Sequence, residues 1–180
     1  MKNKKKLIVK TATNLFAEQG FENTSVAEIC QKANVSKGLV YHYFRSKDEI
    51  LIAIYEQSTQ DMIDLSKTDL AKKPSGKLVD IVDLVFFQLE NNKLFYLLNL
   101  NIMFQPSTRK ILENQIKERG SQLFTTVQSI FNEIDSKNST LLSYVFISEI
   151  DGIALNYLSS FENYPLQKMK NQLTKKYKND

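Results

Sequence analysis

The first fifty residues alternate between segments of helical apolar spacing and residues that end helices. Over 7–19, apolar side chains recur every three or four positions, and Gly20 follows as a C-terminal stop. The next segment, NTSVAEICQKA, has its own apolar face, and Ser25 with Glu28 forms a capping box that predicts a helix directly after Ser25. Asn34 lies where a residue in the left-handed conformation would end that helix.

The following stretch predicts a third short helix and then a long one. Ser36 can cap a helix that runs to about Phe44, and Ser46 with Glu49 forms a second capping box. The helix that starts there keeps its apolar spacing as far as Leu65. Two short helices joined by a tight turn, with one helix before and one after, form a helix-turn-helix.

The rest of the chain predicts five more helices and no sustained strand alternation, with breaks at polar residues and prolines. They are expected over 77–91, 93–104, 107–133, 138–161 and 166–178. The pattern therefore predicts an all-α protein of about nine helices. Its expected parts are an N-terminal three-helix helix-turn-helix domain over 1–46 and a C-terminal helical domain over 47–180.

The amino-acid composition argues against an all-β, a disulfide-bonded or a membrane-spanning protein. Of the 180 residues 42% are hydrophobic, which is enough for a core, and only three prolines and five glycines occur, too few for an all-β chain. One cysteine, Cys30, excludes an internal disulfide. No apolar run approaches the roughly 18 residues of a membrane span, and the basic start lacks the apolar core of a signal peptide. A soluble, cytoplasmic protein with no membrane partner is expected.

The net charge of +4 is unevenly placed. Residues 1–50 carry nine Lys or Arg against five Asp or Glu, whereas the remaining 15 bases and 15 acids cancel. Such asymmetry is typical of a chain whose one end meets a polyanion, although a solvated basic tail looks the same.

The segment VSKGLVYHYFRSK, residues 35–47, brings small, aromatic and cationic residues onto one short predicted helix. A glycine lets the backbone approach another surface, and hydroxyls, imidazole and lysines can donate to phosphate oxygens. Leu39 could meet a thymine methyl, and Lys47 lies at a predicted helix start, where anions bind. Each residue alone could be an ordinary packing or solvated residue, but the combination favours DNA contact. The candidates are Lys37, Gly38, Leu39, Tyr41, His42, Tyr43 and Lys47.

Residues 7–51 resemble the N-terminal domain of TetR-type transcriptional regulators. The family pattern is A-x-x-L-F-x-x-x-G-F/Y, then T-S/T-x-x-x-I-A-x-x-A-G-V-S-x-G-x-L/V-Y-x-Y-F-x-S-K-x-x-L. This chain supplies ATNLFAEQGFENTSVAEICQKANVSKGLVYHYFRSKDEI. The resemblance implies that the candidates above meet bases and phosphates, that Lys47 holds a phosphate, and that Thr24 and Ser25 touch the DNA backbone. Departures fall at Ala27, Cys30, Asn34 and Leu39.

The resemblance also implies a function. Such proteins are DNA-binding regulators, most often repressors, whose homodimers bind a palindromic operator of double-stranded DNA. A small effector, here expected to be apolar or amphipathic, releases them. The 47–180 domain would then bind the effector and form the dimer.

A pocket for an effector is predicted where polar residues interrupt apolar helices, because small-molecule sites are apolar with a few polar anchors. The segments LVFFQL and KLFYLLNLNIMF have this character, as does the long fourth helix. The predicted lining is Tyr55, Thr59, Met62, Phe87, Gln88, Asn99, Asn101, Met103 and Phe104. Satisfied core polar groups would give the same pattern.

A dimer interface is predicted on the last two helices. The segment STLLSYVFISEIDGIALNYL is apolar on nearly all sides, so it is either central to a core or shared with a partner. Family dimers usually join through this helix and the last one. The predicted interface residues are Gly152, Leu155, Leu166, Met169 and Leu173.

The sequence bears on two other classes of protein, an enzyme and a protein-interaction module. An enzyme is not expected, because the single histidine and the single cysteine lie on different predicted helices and no nucleophile motif, phosphate loop or metal spacing occurs. Neither a cofactor nor a metal is expected. The alternative is a helical interaction module that uses the helix-turn-helix for protein contacts, and steep salt dependence would separate DNA binding from it.

Overall fold

A computed structural model of the protein describes residues 2–65 and 72–178, with side chains over 3–60 and 72–178. These residues form ten α-helices and one π-helical turn, and no strand occurs among them, so the predicted all-α class is confirmed. The elements are α1 Lys2–Gln19, α2 Val26–Lys32, α3 Lys37–Tyr43, α4 Lys47–Leu65, α5 Pro74–Asn91, α6 Lys93–Phe104, α7 Pro106–Ile111, α8 Glu113–Ile134, α9 Ser139–Leu155, the π turn Asn156–Ser160 and α10 Leu166–Lys178.

The predicted starts and stops of the short helices are observed. The hydroxyl oxygens of Ser25, Ser36 and Ser46 each accept a hydrogen bond from the amide three residues later, at 3.1, 3.2 and 3.2 Å. Asn34 has the predicted left-handed backbone, with φ 49°, and Gly20 ends α1 with φ 88°. These local signals define the helix-turn-helix because each satisfies backbone groups that a helix end leaves unpaired.

Two later helices differ from the prediction. The helix expected over 107–133 is divided into α7 and α8 at Leu112, which has φ −101° and ψ 12°. Leu112 is fully buried, so packing of its side chain accompanies the break. This division gives ten α-helices rather than nine. The helix expected over 138–161 becomes the π turn after Leu155.

One compact unit comprises Met1–Asp61 and Leu94–Ile116. Its core joins side chains of the helix-turn-helix, such as Phe16 and Ile29, to Leu98 of α6 and to Leu112. The helix-turn-helix is therefore buttressed by α6 and α7, which lie far from it in sequence. The domain boundary predicted after residue 46 falls inside this unit and stays a prediction.

The second compact unit comprises Met62–Lys93 and Lys117–Asp180. Its core contains aromatic rings from α8, α9 and α10 in edge-to-face contact. The ring centroids of Phe146 and Tyr177 lie 4.8 Å apart, and those of Phe131 and Phe146 lie 6.0 Å apart. An ion pair between Lys170 and Asp83, at 2.8 Å, joins α10 to α5.

The expectation that no apolar run approaches the length of a membrane span needs correction. Ser139–Ser160 is a continuous helical stretch of 22 residues that is long and apolar enough by length and composition, although only 28% of its most apolar window is buried. The buried side includes Phe146, Ile150 and Ile153, which belong to a protein core. The opposite side is apolar and exposed, so it is available to another surface.

Candidate nucleic-acid interface

Helix α3 presents a mixed face to solvent. Lys37, Gly38, Tyr41 and His42 are exposed, whereas Val40 is buried against the core. The Lys37 ammonium lies 5.8 Å from the centroid of the Tyr41 ring, which holds cation and phenol side by side. This face combines positive charge, a hydroxyl and an imidazole with accessible backbone. The predicted candidates Leu39 and Tyr43 are half-buried at its edges.

Packing among the described residues does not require a glycine at position 38. A Cβ built on Gly38 would have no atom of the other described residues within 4 Å, apart from its chain neighbours and the backbone of its own helix. The residue also lies in a helix, where glycine is less favourable than alanine. The absence of a side chain therefore leaves room beside the backbone for an external surface.

A groove of about 490 Å³ runs beside this face. It is lined by Glu22, Asn23, Thr24, Ser25, Val26, Ala27, Lys37, Tyr41 and Lys47. The start of α2, the start of α4 and the exposed face of α3 thus meet at one concave surface. The structure brings five of the nine predicted DNA contacts together here.

Thr24 does not offer its hydroxyl to this groove. Its side chain is only 1% exposed, and its hydroxyl donates to the Gly20 carbonyl oxygen at 2.8 Å. The Gln19 side-chain amide donates to the same hydroxyl at 3.2 Å. The Thr24 hydroxyl stabilises the α1–α2 turn, whereas Ser25 is exposed at the groove. The contact of Thr24 with the DNA backbone stays a prediction.

Lys47 is also engaged within the chain. Its ammonium donates to the carbonyl oxygens of Phe21 at 2.7 Å and of Thr24 at 2.9 Å, with the Glu22 oxygen at 3.4 Å. It also lies 4.2 Å from the centroid of the Phe21 ring. Three donors meet three acceptors, so in this arrangement the ammonium holds the 21–24 turn rather than pointing at a phosphate. Its predicted phosphate contact stays a prediction.

Lys47→Met distinguishes these two roles. We expect it to lower the free energy of unfolding by about 1.5–3 kcal/mol, because charge-assisted hydrogen bonds to the turn are lost. DNA affinity should fall through the loosened turn, while its salt dependence changes less than in Lys37→Gln. Urea unfolding and salt titration measure the two effects. Unchanged stability with a salt slope smaller by about 0.9 would instead identify Lys47 as a phosphate ligand.

Three of the residues predicted to line an effector pocket have side chains that are exposed to solvent. Phe87, Met103 and Phe104 are 55%, 47% and 73% exposed. The polar members use local groups: Thr59 donates to the Tyr55 carbonyl at 2.9 Å, Asn99 donates to the Phe95 carbonyl at 2.8 Å, and Gln88 accepts from Asn92. Tyr55 is buried and Asn101 half-buried, while the Met62 side chain lies outside the described residues. The pocket stays a prediction.

The predicted dimer residues lie along α9 and α10. A groove of about 460 Å³ between these helices is lined in part by Gly152, Met169 and Leu173. A Cβ at Gly152 would have no atom of the chain within 4 Å. Leu166 and Leu173 are themselves buried, and Leu155 is 37% exposed.

Sequence reasoning missed an exposed apolar stripe on α9. Leu141, Tyr144 and Val145 are 64%, 57% and 39% exposed, and they continue along the helix to Gly152 and Leu155. Residues three or four apart share one helix face, so these side chains form one stripe. The sequence shows the spacing of these apolar residues three or four positions apart. Because α9 is apolar on nearly all sides, however, the sequence does not show which side packs against the rest of the chain and which is exposed.

Known proteins resemble this chain in sequence and in the arrangement of helices. The sequence model described as "Bacterial regulatory proteins, tetR family" matches residues 8–54, which include α2, α3 and the start of α4. The transcriptional regulator YuxN of Bacillus subtilis is 29% identical over 163 residues, covering 88% of this chain and 55% of YuxN. This chain thus spans about half the length of that relative.

Solved structures with a similar fold cover nearly all of this chain. The fatty acid degradation regulator FadR from Bacillus halodurans superposes with a TM-score of 0.84 at 20% identity, covering 98% of this chain and 95% of FadR. A transcriptional regulator from Saccharomonospora viridis in complex with choline superposes with a TM-score of 0.82 at 16% identity, covering 100% and 98%.

These findings define a helical protein whose helix-turn-helix part, residues 8–54, matches the TetR family of bacterial regulatory proteins. The relative YuxN is named as a transcriptional regulator.

Proposed function

We propose that this protein is a cytoplasmic repressor that binds a palindromic DNA operator as a homodimer. The main observation in support of this proposal is the face of α3 on which Lys37, Gly38, Tyr41 and His42 are exposed to solvent. The second helix of a helix-turn-helix reads base edges in the major groove, while contacts around it fix its position on phosphates. The groove beside α3 offers Ser25 and Lys37 for that positioning.

A second copy of the chain is the proposed occupant of the apolar stripe on α9. One helix-turn-helix supplies only a few contacts, and linking two raises affinity through effective concentration. Dimers of this class reach half-sites about 34–36 Å apart, or a multiple of that. Leu141, Tyr144 and Leu155 support this assignment, because soluble monomers rarely leave contiguous apolar patches exposed.

A small apolar or amphipathic effector is proposed to weaken DNA binding. The choline complex of the S. viridis regulator supports a small-molecule effector, and the name of FadR, which refers to fatty acid degradation, supports an apolar or amphipathic one. An effector shifts the protein away from its DNA-binding conformation by no more than its difference in affinity for the two conformations.

Selection from a pool of random duplexes tests the proposal. We expect the protein to enrich an inverted repeat, and Leu39→Ser to enrich a different repeat, because Leu39 lies where α3 would meet base edges. Sequencing of the retained duplexes measures both. Failure to enrich any sequence, or enrichment of a single unrepeated site, would contradict a dimeric operator-binding protein. An unchanged repeat for Leu39→Ser would reject the role of Leu39.

A further inference from the structure

The start of α1 carries an arrangement of charge that the helix itself does not favour. Lysines occupy positions 2, 4, 5, 6 and 10, and the first carboxylate of the chain is Glu18. The N-terminus of a helix favours acids and disfavours cations, because its free N–H groups carry partial positive charge. The first turn of α1 contains no acid. The lysines at the start of α1 therefore do not stabilise the helix, and their presence needs another explanation.

The structure places this turn beside the recognition helix. The Lys5 ammonium lies 5.4 Å from the centroid of the Phe44 ring, and Phe44 directly follows α3. The first turn of α1 thus lies near the C-terminal end of α3, and Lys37 lies at its N-terminal end. The region matched by the family model starts at residue 8, so Lys4 and Lys5 lie outside it.

The lysines fall on two faces of α1. Lys4 and Lys5 precede the buried Ile8 by four and three residues, so they share the face that leads to the core and to Phe44. Lys6 and Lys10 are four residues apart and, at 100° per residue, lie on the opposite face. All four side chains are exposed. None of the ion pairs described for 3–60 and 72–178 includes Lys4 or Lys5.

We propose that Lys4 and Lys5 bind DNA phosphates next to the site that α3 reads, as a second and sequence-independent contact surface. The inference rests on the proposed function, because it requires that α3 faces DNA. Lysine ammonium groups next to phosphates release bound counterions, which adds affinity at any sequence. When DNA binds, the negative phosphates offset the unfavourable interaction between the lysine charges and the positive end of the helix dipole.

The test compares two double variants with equal loss of charge. Lys4→Gln with Lys5→Gln should reduce the salt slope of binding by about 1.8 for each bound protomer, or about 3.6 for the proposed dimer, because each phosphate contact contributes about 0.9. Lys6→Gln with Lys10→Gln, on the opposite face, should reduce it by less than half as much. The probes are the duplex selected from random DNA and a scrambled duplex of the same length. Binding to both should weaken by a similar factor, since phosphate contacts carry no sequence information.

The possible results separate this inference from the proposed function. Wild-type protein that binds neither duplex would overturn both. Wild-type binding with equal slope changes in the two double variants, or with no change in Lys4→Gln with Lys5→Gln, would overturn only this inference. Thermal unfolding of each variant is measured first. If the Lys5 substitution lowers the midpoint, Lys4→Gln alone decides the question, with an expected slope change of about 0.9 for each bound protomer, or about 1.8 for the proposed dimer.

Discussion

Gly38→Leu should weaken DNA binding strongly while the protein keeps its fold. A Cβ at this position would meet no atom of the other described residues within 4 Å, so we expect the added side chain to clash with a bound partner rather than with the chain itself. Forcing a side chain into a close contact typically costs about 1–3 kcal/mol. Because each 1.4 kcal/mol changes affinity about tenfold, we expect a loss of roughly 5- to 150-fold. Titration of the selected duplex measures it.

Gly120→Leu is the matched control for this substitution. Gly120 also lies in a helix with no neighbouring atom within 4 Å of its Cβ position, but it belongs to α8. Both variants should unfold at or above the midpoint of the wild type, because leucine favours helix more than glycine does. Only Gly38→Leu should lose affinity for DNA. Equal DNA affinity of the two variants would remove the recognition role of α3.

Gly152→Leu should convert the proposed dimer into a monomer or a much weaker dimer. The open space at the Cβ position of Gly152 belongs to the groove between α9 and α10, so we expect the single chain to fold with a leucine there. In a dimer it would lie where two helices approach closely, and overpacking costs about 1–3 kcal/mol. Operator binding should fall as well, because two linked binding units bind more tightly than one.

Sedimentation at micromolar concentration measures this effect, again with Gly120→Leu as the control. The wild type and the control should sediment as dimers. A wild-type monomer would reject the dimer itself. A Gly152→Leu protein that remains as tightly dimeric as the control would show that the interface lies elsewhere.

The sequence predicted well those features that local backbone chemistry determines. Ser25, Ser36 and Ser46 cap the helices that they were expected to cap, and Asn34 adopts the left-handed conformation. Each of these signals acts over four or five residues. The sequence did not predict the break at Leu112, which depends on burial of that side chain in the core next to the helix-turn-helix.

Site residues were less predictable where long-range contacts decide their role. Lys47 is expected from the sequence to be an anion-binding cation at a helix start, but its ammonium group donates hydrogen bonds to carbonyl oxygens more than twenty residues away. The resemblance implies a contact between Thr24 and the DNA backbone, but it does not show that the Thr24 side chain is buried in the turn. Lys37, Gly38 and Tyr41 lie on the exposed face of a helix, so their exposure followed from helical spacing alone.

The dependence of DNA affinity on salt tests the central claim most directly. We expect the logarithm of the binding constant to fall with the logarithm of salt concentration, with a slope steeper than about −4, because several phosphates are contacted at about 0.9 each. The selected duplex should bind more tightly than the scrambled one at every salt concentration. Binding that is indifferent to salt, or equal for the two duplexes, would contradict a sequence-reading DNA-binding regulator and would favour a module that uses this face for protein contacts.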